Sequence, residues 1–154
     1  MLKLYEPKYE DLWFRQQMLA DEETMSYNHK WGGTISFPEE EWMDWHDHWI
    51  ADHVKTRFYR YLINEDNQYV GEIAYHYDED MRSYMADVII YSPYRRKGYG
   101  NEALQLLCIH AKDNGIRELY DDIAIDNPAI KLFLNNGFIE QSRTKEKVIL
   151  KKVL

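Results

Sequence analysis

Hydrophobic residues recur along this chain with two periods, and stretches of one period alternate with stretches of the other. In the segment 57–64, apolar and polar positions alternate, which is typical of a strand with one buried face. In the segment 9–20, Leu12, Trp13, Gln16 and Leu19 recur at helical spacing. The whole pattern predicts a mixed α/β (α+β) protein of order β-α-α-β-β-β-α-β-α-β-β, with elements at 1–6, 9–20, 38–54, 57–64, 69–77, 83–91, 98–114, 119–125, 127–136, 138–141 and 147–153.

Residues 21–37 have no clean period. The segment carries several aromatic residues and the pair Gly32-Gly33. Long irregular segments of compact domains are often functional. We therefore expect a loop that faces a substrate.

Residues 38–54 are predicted to form one helix. Pro38 is followed by three glutamates, which is a strong helix start. Asp44, His48 and Asp52 share one face at a spacing of four residues, and we expect a solvated polar face there, not a metal site. The other face carries a stripe that we expect to join the core: Trp42, Trp45, Trp49 and Val54.

The stretch from Asp87 to Leu104 joins a strand to a helix through a basic turn. The strand is apolar and β-branched, and the helix places Leu104, Leu107 and Ala111 on one face. The turn contains three consecutive cations and two glycines. The free N–H groups and the positive dipole end of such a helix favour an anion, and glycines let a phosphate approach the backbone. The stretch therefore predicts a phosphate-binding loop.

This loop resembles the phosphate loop of the GNAT superfamily of acyl-CoA-dependent N-acyltransferases. Arg95-x-x-Gly98-x-Gly100 follows the Q/R-x-x-G-x-G/A signature of that family, and the segment 126–138 is similar to its second motif. The element order is also that of the GNAT fold, a mixed and mostly antiparallel central sheet flanked by helices. The resemblance implies one acetyltransferase domain over residues 1–154, with acetyl-CoA as co-substrate.

The resemblance also assigns residues to the co-substrate. In that fold, pantetheine lies between two splayed strands and pairs with the backbone of the first. The strand backbone assigned to this contact is that of Ile89, Ile90 and Tyr91. The residues placed around the pyrophosphate are Arg95, Arg96, Lys97, Gly98, Tyr99, Gly100 and Asn101. The second motif contributes Asn127, Ala129, Lys131 and Phe133 near the pantetheine or acyl group.

The implied reaction moves an acetyl group from the thioester to a primary amine of a small molecule or peptide. An alkyl amine with a pKa near ~10 must lose a proton before it attacks. Glu72 and Asp87 are the candidate catalytic carboxylates, because each lies within an apolar strand; His76 is a third polar residue in such a setting. Many family members place a tyrosine at the position of Phe133 to protonate the thiolate, and phenylalanine cannot do so.

Composition limits the possible partners. The net charge of −8 argues against nonspecific nucleic-acid binding and suits a cationic acceptor. The single cysteine, Cys108, is expected to be a buried structural thiol. Without an apolar run of spanning length, we expect a cytoplasmic protein that does not bind a membrane. Homodimers are common in such folds.

Two other functions stay open from the sequence. Because of Phe133, the fold could bind acyl-CoA without turnover. The chain could instead acetylate the N-terminus or a lysine of a protein that docks on its Trp-rich segment.

Overall fold

The computed structural model describes all 154 residues and contains one seven-stranded sheet. The spatial order of its strands is β1-β2-β3-β4-β5-β7-β6. Neighbouring strands are antiparallel except for β4 and β5, which are parallel. This confirms the predicted mixed, mostly antiparallel sheet. The strands are β1 (Lys3–Tyr5), β2 (Arg57–Ile63), β3 (Tyr69–Asp78), β4 (Ser83–Ile90), β5 (Glu118–Ala124), β6 (Ile139–Arg143) and β7 (Lys147–Val153).

Four α-helices flank the sheet, and shorter helical turns connect them. The α-helices are α1 (Trp13–Ala20), α2 (Trp42–His46), α3 (Tyr99–Asp113) and α4 (Ala129–Asn135). The 3-10 turns are Tyr9–Asp11, Thr24–Trp31, Glu39–Glu41 and Ser92–Tyr94, and a π-helical turn spans Asp47–Ala51. None of the helices is both long and apolar enough to cross a membrane.

Two sequence predictions are corrected here. The segment 21–37 is not an irregular loop throughout, because Thr24–Trp31 forms a 3-10 helix that ends at the left-handed Gly32. The segment 38–54 is not one regular helix, because it passes from a 3-10 turn to α2 and then to a π-turn. This widening ends the α-helical period, and Val54 lies outside the stripe with 40% of its surface exposed.

Two hydrophobic cores cover the two faces of the sheet. Strand alternation separates them: Phe58 and Leu62 of β2 lie in one core, while Tyr59 and Tyr61 lie in the other. The first core includes the buried face of α3, and the second includes α1 and Trp42. Cys108 is buried in the first core, as expected.

Strands β4 and β5 separate soon after they meet. Their register contains one pair, Met85 with Tyr120. Beyond it, β5 pairs along its whole length with β7. The edge of β4 from residue 86 onward therefore has no strand partner on this side, and a gap opens between the two strands.

Gly71 lies where β3 approaches the end of β4. A Cβ atom built at Gly71 would lie 2.2 Å from the carbonyl oxygen of Ile89 and 3.1 Å from the Cα of Ile90. Both contacts are with backbone, which cannot rotate away as a side chain can. Glycine is thus required for β4 to run beside β3 up to the gap.

Gly71→Ala is expected to destabilise the fold by about 3 kcal/mol or more, because the methyl group would force two paired strands apart. Gly100→Ala is the matched control, since its Cβ would meet only side-chain atoms, of Leu132 at 3.3 Å and of Ile90 at 4.0 Å. We expect the control to change stability by no more than about 1 kcal/mol. Urea unfolding of the two variants would measure this, and equal midpoints would contradict the account.

Candidate active site

Two cavities meet at the gap between β4 and β5. The larger has a volume of about 840 Å³ and the smaller about 340 Å³. Both are of the size that proteins use for small molecules. Asp87 of β4 and the neighbouring pair Asp121 and Asp122 of β5 line both cavities. A molecule in either cavity would therefore reach the same carboxylates.

The larger cavity runs from the basic loop along the gap. Its walls come from the 3-10 helix Thr24–Trp31, the end of β4, the start of α3, the strand β5 and the start of α4. Of the residues predicted to contact the co-substrate, those that line it are Ile89, Ile90, Arg95, Arg96, Gly98, Tyr99, Gly100, Asn127, Ala129 and Phe133. Tyr91, Lys97, Asn101 and Lys131 are not among its lining residues.

The basic loop presents unpaired backbone donors to this cavity. The N–H groups from Arg96 through Asn101 make no hydrogen bond within the chain. Gly98 has φ +80°, and nothing lies within 4 Å of a Cβ built on it, so the loop turns there without a side chain in front of the donors. Together with the dipole of the long helix α3, these donors fit a diphosphate.

Arg95 has a different role from its neighbours in the loop. Its guanidinium donates to three carbonyl oxygens: Ile90 at 3.2 Å, Glu23 at 3.1 Å and Thr24 at 2.7 Å. Arg95 thereby ties the 3-10 helix that begins at Thr24 to the end of β4. Arg96 makes no such bonds, and its guanidinium is free to meet an anion.

The backbone of β4 faces the gap at alternate residues. Tyr91 donates its N–H to the carbonyl of Val70 at 2.8 Å, and Ile89 pairs with Glu72, so both are directed toward β3. By the same alternation, Val88 and Ile90 direct their N–H and carbonyl groups away from β3 and toward the gap, where the carbonyl of Ile90 already accepts from Arg95. The expected backbone contact with pantetheine thus shifts from Ile89 and Tyr91 to Val88 and Ile90.

Asn127 and Phe133 also contribute to the fold. The Asn127 Oδ1 accepts the N–H of Ala129 at 2.9 Å and so starts α4, which leaves its amide N–H₂ group for other partners. Phe133 is 3% exposed and packs edge-on against Phe138, with ring centroids 4.9 Å apart. It is a core residue whose edge borders the larger cavity.

The two predicted catalytic carboxylates lie on one face of the sheet. Glu72 is opposite Ile89 and Asp87 is opposite Ala74, which makes Glu72 and Asp87 diagonal neighbours on adjacent strands. Glu72 is only 2% exposed and lines the smaller cavity.

Burial sets the protonation of this pair. Burial raises the pKa of Asp87 to about 7, with a further upward contribution from the negative charge of Glu72 and a downward one from Arg15. Burial likewise raises the pKa of Glu72, while the charge of Arg15 and the Tyr59 hydroxyl oppose the shift. The two carboxylates interact, so the protonation of one depends on that of the other.

Asp121 is a carboxylate that the sequence reasoning missed. Burial and the negative charge of Asp87 raise its pKa well above the usual value. Its neighbour Asp122 forms an ion pair with Lys147 at 2.9 Å. The same signal that indicated Glu72 and Asp87, a carboxylate within an apolar strand, could have found it. The gap is thus lined by carboxylates from both strands.

Tyr27 brings a hydroxyl group to the larger cavity. It comes from the 3-10 helix Thr24–Trp31, whose residues 26–29 also line this cavity. Its hydroxyl makes no hydrogen bond within the chain. Burial, followed by the charges of Asp87 and Glu72, raises the pKa of Tyr27, so it stays protonated and can donate a hydrogen bond. The sequence indicated the segment but not this residue.

The smaller cavity has aromatic walls and one cation. Trp45, Trp49 and Tyr59 line it together with Glu72 and Arg15. His76 is half-buried beside Trp49, and burial lowers its pKa, which favours the neutral imidazole. Sequence spacing gave no signal for Arg15, because a single arginine in an amphipathic helix is ordinary.

Comparison with solved structures shows what this architecture resembles. The spermidine N-acetyltransferase from Vibrio cholerae, in complex with CoA and spermine, has a TM-score of 0.81 at 18% identity and covers 99% of this chain and 95% of its own. A GNAT-family acetyltransferase from Bacillus anthracis has a TM-score of 0.77 at 18% identity, with 99% and 94% covered. An N-acetyltransferase from Thermoplasma acidophilum in complex with coenzyme A has a TM-score of 0.74 at 13% identity, with 100% and 99% covered.

Sequence comparison gives the family. No curated protein matches the chain. The family model described as "Acetyltransferase (GNAT) domain" matches residues 1–139, which includes the basic loop, the gap and both cavities' carboxylates. The free N–H groups and the long cavity fit coenzyme A, the donor that this family uses. The chain therefore belongs to the GNAT family of acetyl-CoA-dependent N-acetyltransferases.

Proposed function

We propose that residues 1–154 act as one domain that acetylates the primary amine of a small molecule or peptide. The observation that carries this proposal is the position of Asp87, whose carboxylate borders both cavities at the gap. The donor occupies the larger cavity and the amine occupies the smaller one. The reacting groups then meet beside Asp87.

The chain holds the donor through backbone groups. Acetyl-CoA, once bound, supplies an activated thioester. The unpaired N–H groups of residues 96–101 bind the pyrophosphate, and Arg96 adds charge. Val88 and Ile90 offer backbone groups to pantetheine along the open edge of β4. Arg95 positions the 3-10 helix that carries Tyr27 over this groove.

The carboxylates prepare the acceptor. They attract an ammonium group, and Asp87, with a pKa near 7, takes one proton from it at neutral pH. The free amine attacks the thioester carbonyl, a C–N bond forms, and the C–S bond breaks. The nitrogen then transfers its second proton to the departing sulfur, so that CoA leaves as the thiol. Tyr27 supplies the hydrogen-bond donor for the sulfur that Phe133 lacks.

The ammonium group of the acceptor fits the smaller cavity. The polar lining of this cavity is mostly carboxylate, and its aromatic walls can contact an ammonium group through their faces.

Acetyl-CoA-dependent thiol release should appear with at least one member of a panel of polyamines, aminoglycosides, amino acids and short peptides. Direct titration with CoA would accompany it. A protein that binds CoA but releases no thiol with any member would contradict the proposal and favour a module that only binds acyl-CoA.

Asp87→Asn should lower kcat by about 10²-fold or more, because the base is removed. In the wild-type protein, kcat should rise with pH through about 7 as the carboxyl group loses its proton, and this rise should be lost in the variant. The exposed Asp44→Asn is the matched control and should keep the wild-type profile. An unchanged profile in Asp87→Asn would remove Asp87 as the base.

Asp87→Asn should lower activity without lowering the stability of the fold at pH 8. The folded pKa of Asp87 lies above the unfolded value of about 3.9, so its stabilising contribution exists at low pH and is lost as pH rises through about 7. At pH 8, Asp87→Asn should therefore melt at or above the wild-type temperature. A clearly lower Tm would contradict this and show that the negative charge of Asp87 stabilises the fold.

Arg96→Ala should weaken CoA binding by about tenfold, since a charge-assisted contact is lost. Lys97→Ala is the control one residue away, and it should weaken binding by less than about threefold because Lys97 lies outside the cavity and is screened by salt. Titration calorimetry with CoA would compare them. Equal losses would mean that the loop binds through its net charge alone.

Tyr27→Phe should lower kcat by about tenfold while leaving the Kd for CoA unchanged, because only the hydroxyl that assists the leaving thiol is removed. Tyr99→Phe, which also changes a tyrosine of the larger cavity, should have little effect on kcat. If Tyr27→Phe kept full activity, the thiolate would leave without help from this residue.

A further inference from the structure

Arg15 has a partly buried guanidinium with no polar partner within the chain. It lies on α1, and none of its guanidinium nitrogens donates a hydrogen bond or forms an ion pair within the chain, although the backbone N–H of the residue bonds to Tyr61. Its Nε is completely buried and unpaired. A charge removed from water without partners is costly, so such an arrangement calls for an explanation.

Aromatic rings hold this guanidinium in place. Its central carbon lies 4.6 Å from the ring centroid of Phe37, 4.5 Å from that of Trp45 and 5.8 Å from that of Tyr59. These cation–π contacts fix the plane of the group and partly offset its desolvation. The N–H donors at the edge of the guanidinium stay without hydrogen-bond partners. Arg15 also lines the smaller cavity, so this edge borders the space proposed for the acceptor.

The neighbouring carboxylates do not satisfy Arg15. No ion pair or hydrogen bond joins the Arg15 guanidinium to Glu72 or Asp87, although its charge lowers the pKa of both carboxyl groups. The three groups nevertheless share the smaller cavity. The cavity thus has a cationic side at Arg15 and an anionic side at Glu72 and Asp87.

We propose that Arg15 binds a carboxylate of the acceptor, so that the acceptor is a zwitterion of the amino-acid type. This inference rests on the proposed function, and it names the substrate class of that same site. The amine of the acceptor lies at Asp87, and its carboxylate meets the planar donors of Arg15. The 340 Å³ cavity holds a molecule of that size, with the tryptophan walls beside its side chain.

Charge separates this class from purely cationic acceptors. A polyamine in the smaller cavity would bring a second ammonium toward Arg15, where two desolvated positive charges repel. An amino acid places its ammonium group beside Asp87 and its carboxylate beside Arg15.

The experiment compares amino acids with their own decarboxylated amines. The pairs are ornithine with putrescine, lysine with cadaverine, and phenylalanine with phenethylamine. We expect kcat/KM of the wild-type protein to favour the better amino acids over their amines by about tenfold or more, the value of a charge-assisted hydrogen bond to a buried group. Arg15→Met should abolish that preference, and Arg15→Lys should keep part of it.

Controls separate recognition from a structural or electrostatic role. Arg117→Met removes an exposed arginine and should keep the wild-type preference. If Arg15 only adjusted the charge of Glu72 and Asp87, Arg15→Met would change both members of each pair equally and shift the pH profile, leaving the preference intact. That result would overturn the proposal.

Binding gives a readout that does not need turnover. Calorimetry in the presence of CoA would measure the Kd of each compound for the wild-type protein and for Arg15→Met. Amino acids that bind in an Arg15-dependent way without being acetylated would support the inference and count against the proposed function. Decarboxylated amines that are acetylated as well as the amino acids, or better, would overturn the inference and leave the function standing. A failure of every amino acid both to bind and to react would also overturn it.

Discussion

The parting of β4 from β5 is the constraint on which the site depends. The two strands share one register pair, Met85 with Tyr120, and β5 forms its other strand pairing with β7. An unpaired strand edge inside a protein is costly unless something else bonds to it. In this chain, the open edge of β4 runs between two cavities. Its unpaired backbone groups are what an extended ligand chain such as pantetheine requires.

The parting also decides the chemistry of the carboxylates. Asp87 and Asp121 come from the two separated strands, and Glu72 stands diagonally across β3. The charge of Glu72 raises the pKa of Asp87, and the charge of Asp87 raises the pKa of Asp121. Arg15 opposes this shift from a distance without forming an ion pair. In the proposed mechanism, Asp87 exchanges its proton near neutral pH and lies between the amine in one cavity and the thioester in the other.

Much of the fold could be predicted from sequence, because local patterns determine it. Alternating strands, the helical face of α3 and the Gly98 turn are encoded within a few residues, and the structure places them within a few residues of the expected bounds. The stretch 38–54 was harder to predict, since the chain passes through three helix types there. The tryptophans at 42, 45 and 49 still reach the core.

The site was predictable only in part, for a physical reason. Strand carboxylates such as Glu72 and Asp87 stand out against apolar neighbours, whereas Arg15 and Tyr27 become significant only through packing across elements. Arg95 illustrates the limit. Its position in the motif suggests that it binds phosphate, but in the structure its N–H groups donate to carbonyls of β4 and of the segment around Thr24. Which backbone groups of β4 face the gap also depends on its register with β3, which a single sequence does not reveal.

A crystal structure of the protein with bound CoA tests the central claim most directly. The account predicts that the pyrophosphate lies against the N–H groups of residues 96–101, and that pantetheine runs along β4 with hydrogen bonds to Val88 and Ile90. The thiol should end beside Asp87, at the meeting point of the two cavities. A pantetheine arm that leaves the gap, or a thiol that ends away from Asp87, would contradict the account.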